Sequence, residues 1–166
     1  MERKTIVFMK IAFGVDPGGL GLREGVLKHL KEKGHEAVDL GTQDADHEIP
    51  YMIVGRNVAN AVTSGEARFG IVMCGTGMGI SIATNKNKGA RCALAESYYT
   101  ARESRIINDA NIIAMGGTTT SLRMACDMID VFLETEFGQG LPEFRVERIK
   151  DCAKKLAAFE DEQFVK

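Results

Sequence analysis

Apolar residues in this chain gather in short runs, separated by longer stretches in which they recur every three or four positions. The runs are Lys10–Val15, Glu36–Leu40, Phe69–Cys74, Arg91–Ala95 and Asn111–Met115. Most are nearly continuous in apolar residues, the pattern of strands covered on both faces. Between them, Leu22, Val26, Leu27 and Leu30 mark one face of a helix over Leu20–Lys33. Pro50 opens a second helix, at the position where its missing N–H costs nothing. Ser97–Asn108, Ser121–Glu136 and Pro142–Phe159 carry the same helical period, and 160–166 reads as a charged tail. Repeated β–α units predict one α/β domain, a parallel sheet with helices on both faces.

In such sheets ligands bind beyond the carboxyl ends of the strands. Three loops place suitable chemistry there: GVDPGG after the first strand, CGTGMG after the third and AES after the fourth. RIINDAN, ahead of the fifth strand, is expected to fold back to the same rim. Composition narrows the partners. The 166 residues suit a single domain over 1–166, with 45% hydrophobic and 27% charged residues. Net charge is −2 with both signs interspersed, which predicts neither nucleic acid nor an anionic membrane as partner. No apolar run approaches the ~20 residues of a membrane-spanning helix. The four cysteines form no C-x-x-C pair and have no histidine at zinc spacing, so no metal is expected. Reduced thiols predict a cytoplasmic setting. Residues 1–9 lack a small-residue cleavage site and read as an extension, or with TIVF as added length on the first strand.

The segment MCGTGMGISIATNK (73–86) carries the most chemistry. A dinucleotide fingerprint would need a glycine at position 80, which is Ile80, and the chain leaves no room for a separate substrate domain. A P-loop is excluded, because no G-K-[ST] follows at the required spacing. A tight strand-to-helix turn with a core cysteine accounts for the spacing as well. Gly75, Gly77 and Gly79 add a second reading, in which converging backbone N–H groups form a hollow for an anion at a helix N-terminus. Cys74 beside that positive end would favour thiolate. A base next to an anion-stabilising hollow suits proton abstraction α to a carbonyl.

CGTGMGISIATNK, the GVDPGG loop, TARESRIINDANIIAMGG and the terminal FRVERI together resemble the ribose-5-phosphate isomerase B and galactose-6-phosphate isomerase family. The likeness runs from Lys10 to Lys150. It implies a Rossmann-like five-stranded sheet and a homodimer or homotetramer with sites at the subunit interface. It also implies aldose–ketose interconversion of a small sugar phosphate without a metal or other cofactor. By position, Cys74 matches the family's proton-shuttling base and Thr76 an assisting residue. Gly75, Gly77, Gly79 and Asn108 match the groups that stabilise the enediolate. Asp16 matches a sugar-hydroxyl ligand, and Arg145 a phosphate ligand from the partner subunit.

Departures from the family pattern narrow the chemistry further. Pro17 and Ile107 stand where the family carries histidines, the second of which opens cyclic sugars, and Leu141 and Pro142 replace an arginine and a histidine. Neither proline nor isoleucine exchanges protons. The isomerising residues are present and the ring opener is missing, which suits an acyclic tetrose or tetrulose phosphate. A subunit of a mixed assembly and a non-catalytic sugar-phosphate-binding protein are the alternatives. Arg148, one turn beyond Arg145, reads either as a second anion ligand or as a solvated charge. Cys92, Cys126 and Cys152 read as small core residues, Arg91 as structural, and His29 and His35 as surface residues. His47 reads as able to reach the rim of the site.

Overall fold

The computed structural model describes residues 8–164, so the reading of the first seven residues lies outside it. Five strands, β1 (Lys10–Val15), β2 (Glu36–Asp39), β3 (Phe69–Cys74), β4 (Cys92–Leu94) and β5 (Ile112–Gly116), form one sheet in the order β2-β1-β3-β5-β4. Every pairing is parallel. The helices are α1 (Leu20–Glu32), α2 (Tyr51–Thr63), α3 (Met78–Thr84), α4 (Tyr98–Asn108), α5 (Leu122–Glu134) and α6 (Glu143–Gln163).

Side-chain alternation along each strand divides the core into two layers. Ile11, Phe13, Val15, Ile71, Met73, Ile113 and Met115 meet Val26 and Leu30 of α1 and Ala125, Met128, Ile129 and Phe132 of α5. Ala12, Val72, Cys74, Ile112 and Ala114 meet Val54 and Val58 of α2 and Ile80 of α3. Burying each large side chain contributes about 1.5–3 kcal/mol. The second layer is the thinner one, because the sheet presents Gly14 and Gly70 to α2. A Cβ at Gly14 would lie 2.6 Å from Val54, and one at Gly70 2.7 Å from Val58. Cys74 thus leaves the last position of its strand on the α2/α3 side.

Three segments differ from the sequence reading. The helix after the glycine turn, α3, has only seven residues. β4 is three residues long, and α6 runs to Gln163 through part of the expected tail. α6 buries none of its residues. It is tied down at its far end, where Gly89 donates its N–H to Glu160 Oε1 at 2.8 Å and Lys88 pairs with Asp161 at 2.6 Å. Near its start, Val146 and Ile149 lie against Gly138.

At the amino end of the sheet sits a buried cation. Arg105 is 6% exposed and donates to the Ala110 carbonyl at 2.7 Å, the Thr135 carbonyl at 3.3 Å and Asp109 Oδ1 at 2.7 Å. Its guanidinium also lies 4.7 Å from the centre of the Phe69 ring. Arg91 is structural as expected, binding the Asp109 carbonyl and carboxylate at 2.8 and 3.0 Å.

The histidine and cysteine readings need correction. His29 is half-buried because Nε2 sits 2.7 Å from Asp130 Oδ1, a partner 101 positions away that no local pattern reveals. His35 is half-buried too, with Nδ1 enclosed and without a hydrogen-bond partner, and this burial lowers its pKa. Cys152 is exposed, since α6 has no buried face, and Cys126 is only half-buried. Burial pushes the Cys92 thiol up to about 12, so it stays protonated at neutral pH.

Candidate active site

Three loops at the carboxyl end of the sheet interlock through their backbones. After β1, the Asp16 N–H donates to the Met73 carbonyl at 3.0 Å. Asp16 Oδ1 then accepts the N–H groups of Gly18 at 2.8 Å and Gly19 at 3.2 Å, capping a single 3-10 turn over Pro17–Gly19. Burial raises the carboxyl's pKa, and those two N–H groups oppose the rise. After β5, the Gly117 N–H donates to the Cys74 carbonyl at 2.7 Å. Thr118 donates both its N–H, at 2.9 Å, and its hydroxyl, at 2.6 Å, to the Gly75 carbonyl.

The loop after β3 lies between the other two. Cys74 is 6% exposed, and its Sγ accepts the Gly77 N–H at 3.2 Å. The turn reaches that geometry because Gly77 takes a left-handed conformation, φ 78°, which a side chain would strain. A Cβ there would also lie 2.8 Å from the Met115 carbonyl carbon. Gly75 faces open space, with no atom within 4 Å of the place a Cβ would take. Thr76 is exposed, and its hydroxyl accepts the Met78 N–H at 3.4 Å. Gly79 lies beneath the ring of Tyr51, 3.4 Å from a Cβ built there. The sequence reading missed Tyr51. The available signal was Pro50, because a helix following a parallel strand returns antiparallel and sets its first residue at the carboxyl end of the sheet.

Gly18 couples the first loop to the glycine turn. A Cβ at Gly18 would overlap the Gly75 amide nitrogen and lie 2.8 Å from the Gly75 Cα. Gly18→Ala is therefore expected to force the two loops apart. It should cost about 1–3 kcal/mol in chemical denaturation and lower kcat together with stability. A melting curve and a rate indistinguishable from the parent would show that the contact is slack.

The structure brings together Asp16, Cys74, Gly75, Thr76, Gly77 and Gly79, and it separates Asn108 and Arg145 from them. Asn108 is the last residue of α4, at the amino end of the sheet, beside the Arg91–Asp109 pair. Arg145 lies in the first turn of α6. Val146, next to it, touches Gly138, whose N–H donates to the Ile106 carbonyl. Asn108 and Arg145 therefore share one end of the molecule, separated from Cys74 by the length of β5, about 15 Å. The expectation that RIINDAN folds back to the Cys74 rim fails within one chain, because α4 runs antiparallel to the strands and ends at the opposite side. Arg145 and Arg148 are exposed, and their side chains make no hydrogen bond or ion pair among the described residues. His47 does not turn into the site: its Nδ1 lies 2.8 Å from Asp44 in its own exposed turn. Among the described residues, no group of three or more histidine, cysteine or acidic side chains is placed to hold a metal ion, and no helix is long and apolar enough to cross a membrane.

The ribose/galactose isomerase family profile matches residues 11–149. The chain is 40% identical over 153 residues to 4-deoxy-4-sulfo-D-erythrose isomerase of Clostridium sp. strain MSTE9, covering 92% of this chain and 96% of that protein. It is 40% identical over 140 residues to ribose-5-phosphate isomerase B of Escherichia coli K12, covering 84% and 93%. Among solved structures, Clostridium thermocellum ribose-5-phosphate isomerase B superimposes with a TM-score of 0.84 at 41% identity, over 93% of this chain and 99% of that one. Loops, sheet order and relatives converge, and the chain belongs to the ribose/galactose isomerase family.

Proposed function

We propose that this chain interconverts the aldose and ketose forms of a four-carbon sugar bearing an anionic group on its terminal carbon. Cys74 carries the proton. Its thiolate removes the hydrogen from C2 of the open-chain aldose, and the electron pair moves through C1 onto the carbonyl oxygen, giving an enediolate. The proton returns to C1 while the oxygen on C2 becomes the ketone carbonyl, and the oxygen-bound protons exchange locally. N–H groups of the glycine turn around Gly75 and Gly79 hold the developing charge, while that of Gly77 stays on Cys74 Sγ. The Thr76 hydroxyl, which uses only its acceptor side on Met78, has its proton free for an oxygen of the substrate. Asp16 binds sugar hydroxyls.

The observation that carries this reading is the Gly77 N–H aimed at Cys74 Sγ inside a turn whose open side is bare of side chains. An amide donor on sulfur suits an anionic base. The four-carbon substrate follows from Pro17 and Ile107, which cannot pass a proton to a ring oxygen. A tetrose substituted at C4 has no free hydroxyl there to close a five-membered ring, so it needs no ring opener. Charge bears on the terminal group. The loops at this end of the sheet, residues 14–19, 40–50, 74–79 and 116–121, hold Asp16, Asp44, Asp46 and Glu48 and no lysine or arginine. Cations must come from elsewhere, and a monoanionic sulfonate suits this rim better than a phosphate dianion. The relative that acts on a 4-sulfo-erythrose points the same way.

The site is completed by a second copy. Asn108 and Arg145 lie at the end of the molecule away from Cys74, so a homodimer or homotetramer would bring one protomer's pair to the other's turn. Arg145, with Arg148 one turn on, would meet the terminal anion, each such contact contributing about 1.5–3 kcal/mol. Tyr98 and Tyr99, 58% and 68% exposed at the start of α4, would be covered in that assembly. The test is a substrate panel followed by NMR in deuterated water. The 4-sulfo and 4-phospho forms of erythrose are expected to exchange C2 hydrogen and form ketose, the sulfonate faster, with ribose 5-phosphate slowest. Faster turnover of ribose 5-phosphate would overturn the acyclic reading, and no turnover at all would return support to a mixed assembly or a binding protein.

A further inference from the structure

The loop after β5 does more than fill space beside the catalytic turn. Gly117 and Thr118 together place three donors on two successive carbonyls, those of Cys74 and Gly75. In a trans peptide the carbonyl and the following N–H point in opposite directions. Anchoring the Gly75 carbonyl therefore fixes where the Thr76 N–H points, and anchoring the Cys74 carbonyl does the same for the Gly75 N–H. Thr118 is exposed, so water could satisfy the Gly75 carbonyl at little cost. That carbonyl already has the Thr118 amide, yet the Thr118 hydroxyl spends its own proton there at 2.6 Å. A second donor on an accessible, already paired carbonyl adds little net stability. What it adds is restraint on the plane of one peptide.

We infer that Thr118 is a positioning residue for the reaction: its hydroxyl locks the Gly75–Thr76 peptide so that the Thr76 N–H stays aimed at the oxygen that becomes negative. The inference rests on the isomerase reading above and extends it to a side chain that does not touch the reacting carbons. Donors held in place before charge develops stabilise a transition state more than donors that must reorganise. The clamp should therefore act on kcat and leave ground-state binding nearly alone.

Thr118→Val removes the hydroxyl and keeps the shape and the amide donor, while Thr118→Ser keeps the hydroxyl. Thr118→Val is expected to lower kcat about tenfold with KM within about twofold of the parent, and Thr118→Ser to stay within about threefold in kcat. A readout independent of substrate accompanies the kinetics: the order parameter of the Thr76 amide, from ¹⁵N relaxation, should fall in Thr118→Val and not in Thr118→Ser. An unchanged Thr76 order parameter in Thr118→Val overturns the clamp whatever the activity. A lower order parameter with unchanged kcat overturns its part in the reaction, and equal losses in both variants would assign the effect to packing. Failure of the parent to isomerise any sugar in the panel would remove the catalytic half of the inference, while the relaxation measurement would still decide the structural half.

Discussion

Cys74→Ser is expected to keep the fold and to lower kcat by about a thousandfold, within the 10²–10⁴ range typical of a positioned proton-transfer group. Serine is nearly the same size, and its oxygen can still accept the Gly77 N–H that meets sulfur at 3.2 Å in the parent. The residue is 6% exposed within the α2/α3 layer, so the smaller atom leaves at most a slight gap. A hydroxyl at that place cannot accumulate as an anion near neutral pH, and the carbon-bound proton then has no acceptor. The decisive measurement is exchange of the C2 hydrogen into deuterated water, because it reports proton abstraction even where ketose release is slow. Exchange in Cys74→Ser within tenfold of the parent would show that another group is the base, and an unchanged melting temperature would show that any loss is chemical.

Arg105→Ala is expected to be the most damaging single change to stability, costing about 3–5 kcal/mol and lowering the melting temperature by about 10 °C. The guanidinium supplies donors to two backbone carbonyls in buried surroundings, Ala110 and Thr135, and has Asp109 as its charge partner. Its removal leaves those carbonyls enclosed without a donor, at about 1–3 kcal/mol each. The faces of Phe69 and Phe132 also lose the cation lying 4.7 and 5.7 Å from their centres. Arg105→Lys keeps the charge but not the fork, and should recover less than half of the loss. Because Arg105 holds Asp109, beside the Asn108 that the proposed dimer carries to its partner's turn, the folded fraction of Arg105→Ala should also lose part of the parent's kcat. Urea denaturation measured beside activity on the same samples checks both statements. A cost below about 1 kcal/mol would mean that water replaces the arginine.

The sheet was legible because its strands are covered on both faces. Phe69–Cys74 is buried at all six positions, and an uninterrupted apolar run of that length between helical stretches is what a central parallel strand requires. α3 was legible only as the helix that the glycine turn opens, and its length was not: seven residues make about two helical turns, too few for a period to show. In the site, Cys74 and the glycines could be found because their chemistry is local to one loop. Asn108 belongs by motif to that same loop cluster, and the path of α4 carries it to the other end. Tyr51 and Thr118 went unnoticed for a related reason. Each touches the glycine turn from a different strand exit, and no spacing within the chain encodes which exits lie side by side.

The interlocked loops have a consequence for how this scaffold can change its preference. A methyl group added at Gly18, Gly77 or Gly117 would strike main-chain atoms of a neighbouring segment. The floor of the proposed site is thus largely polypeptide backbone, closed to a side chain at Gly18, Gly77 and Gly117 and open to one at Gly75. On the proposed reading, a change in which sugar is accepted would arise from the walls: from Tyr51, from the segment between Gln43 and Ile49, and from whatever the opposing protomer presents. Changes in those walls would, on that reading, leave Cys74 and the glycine turn untouched.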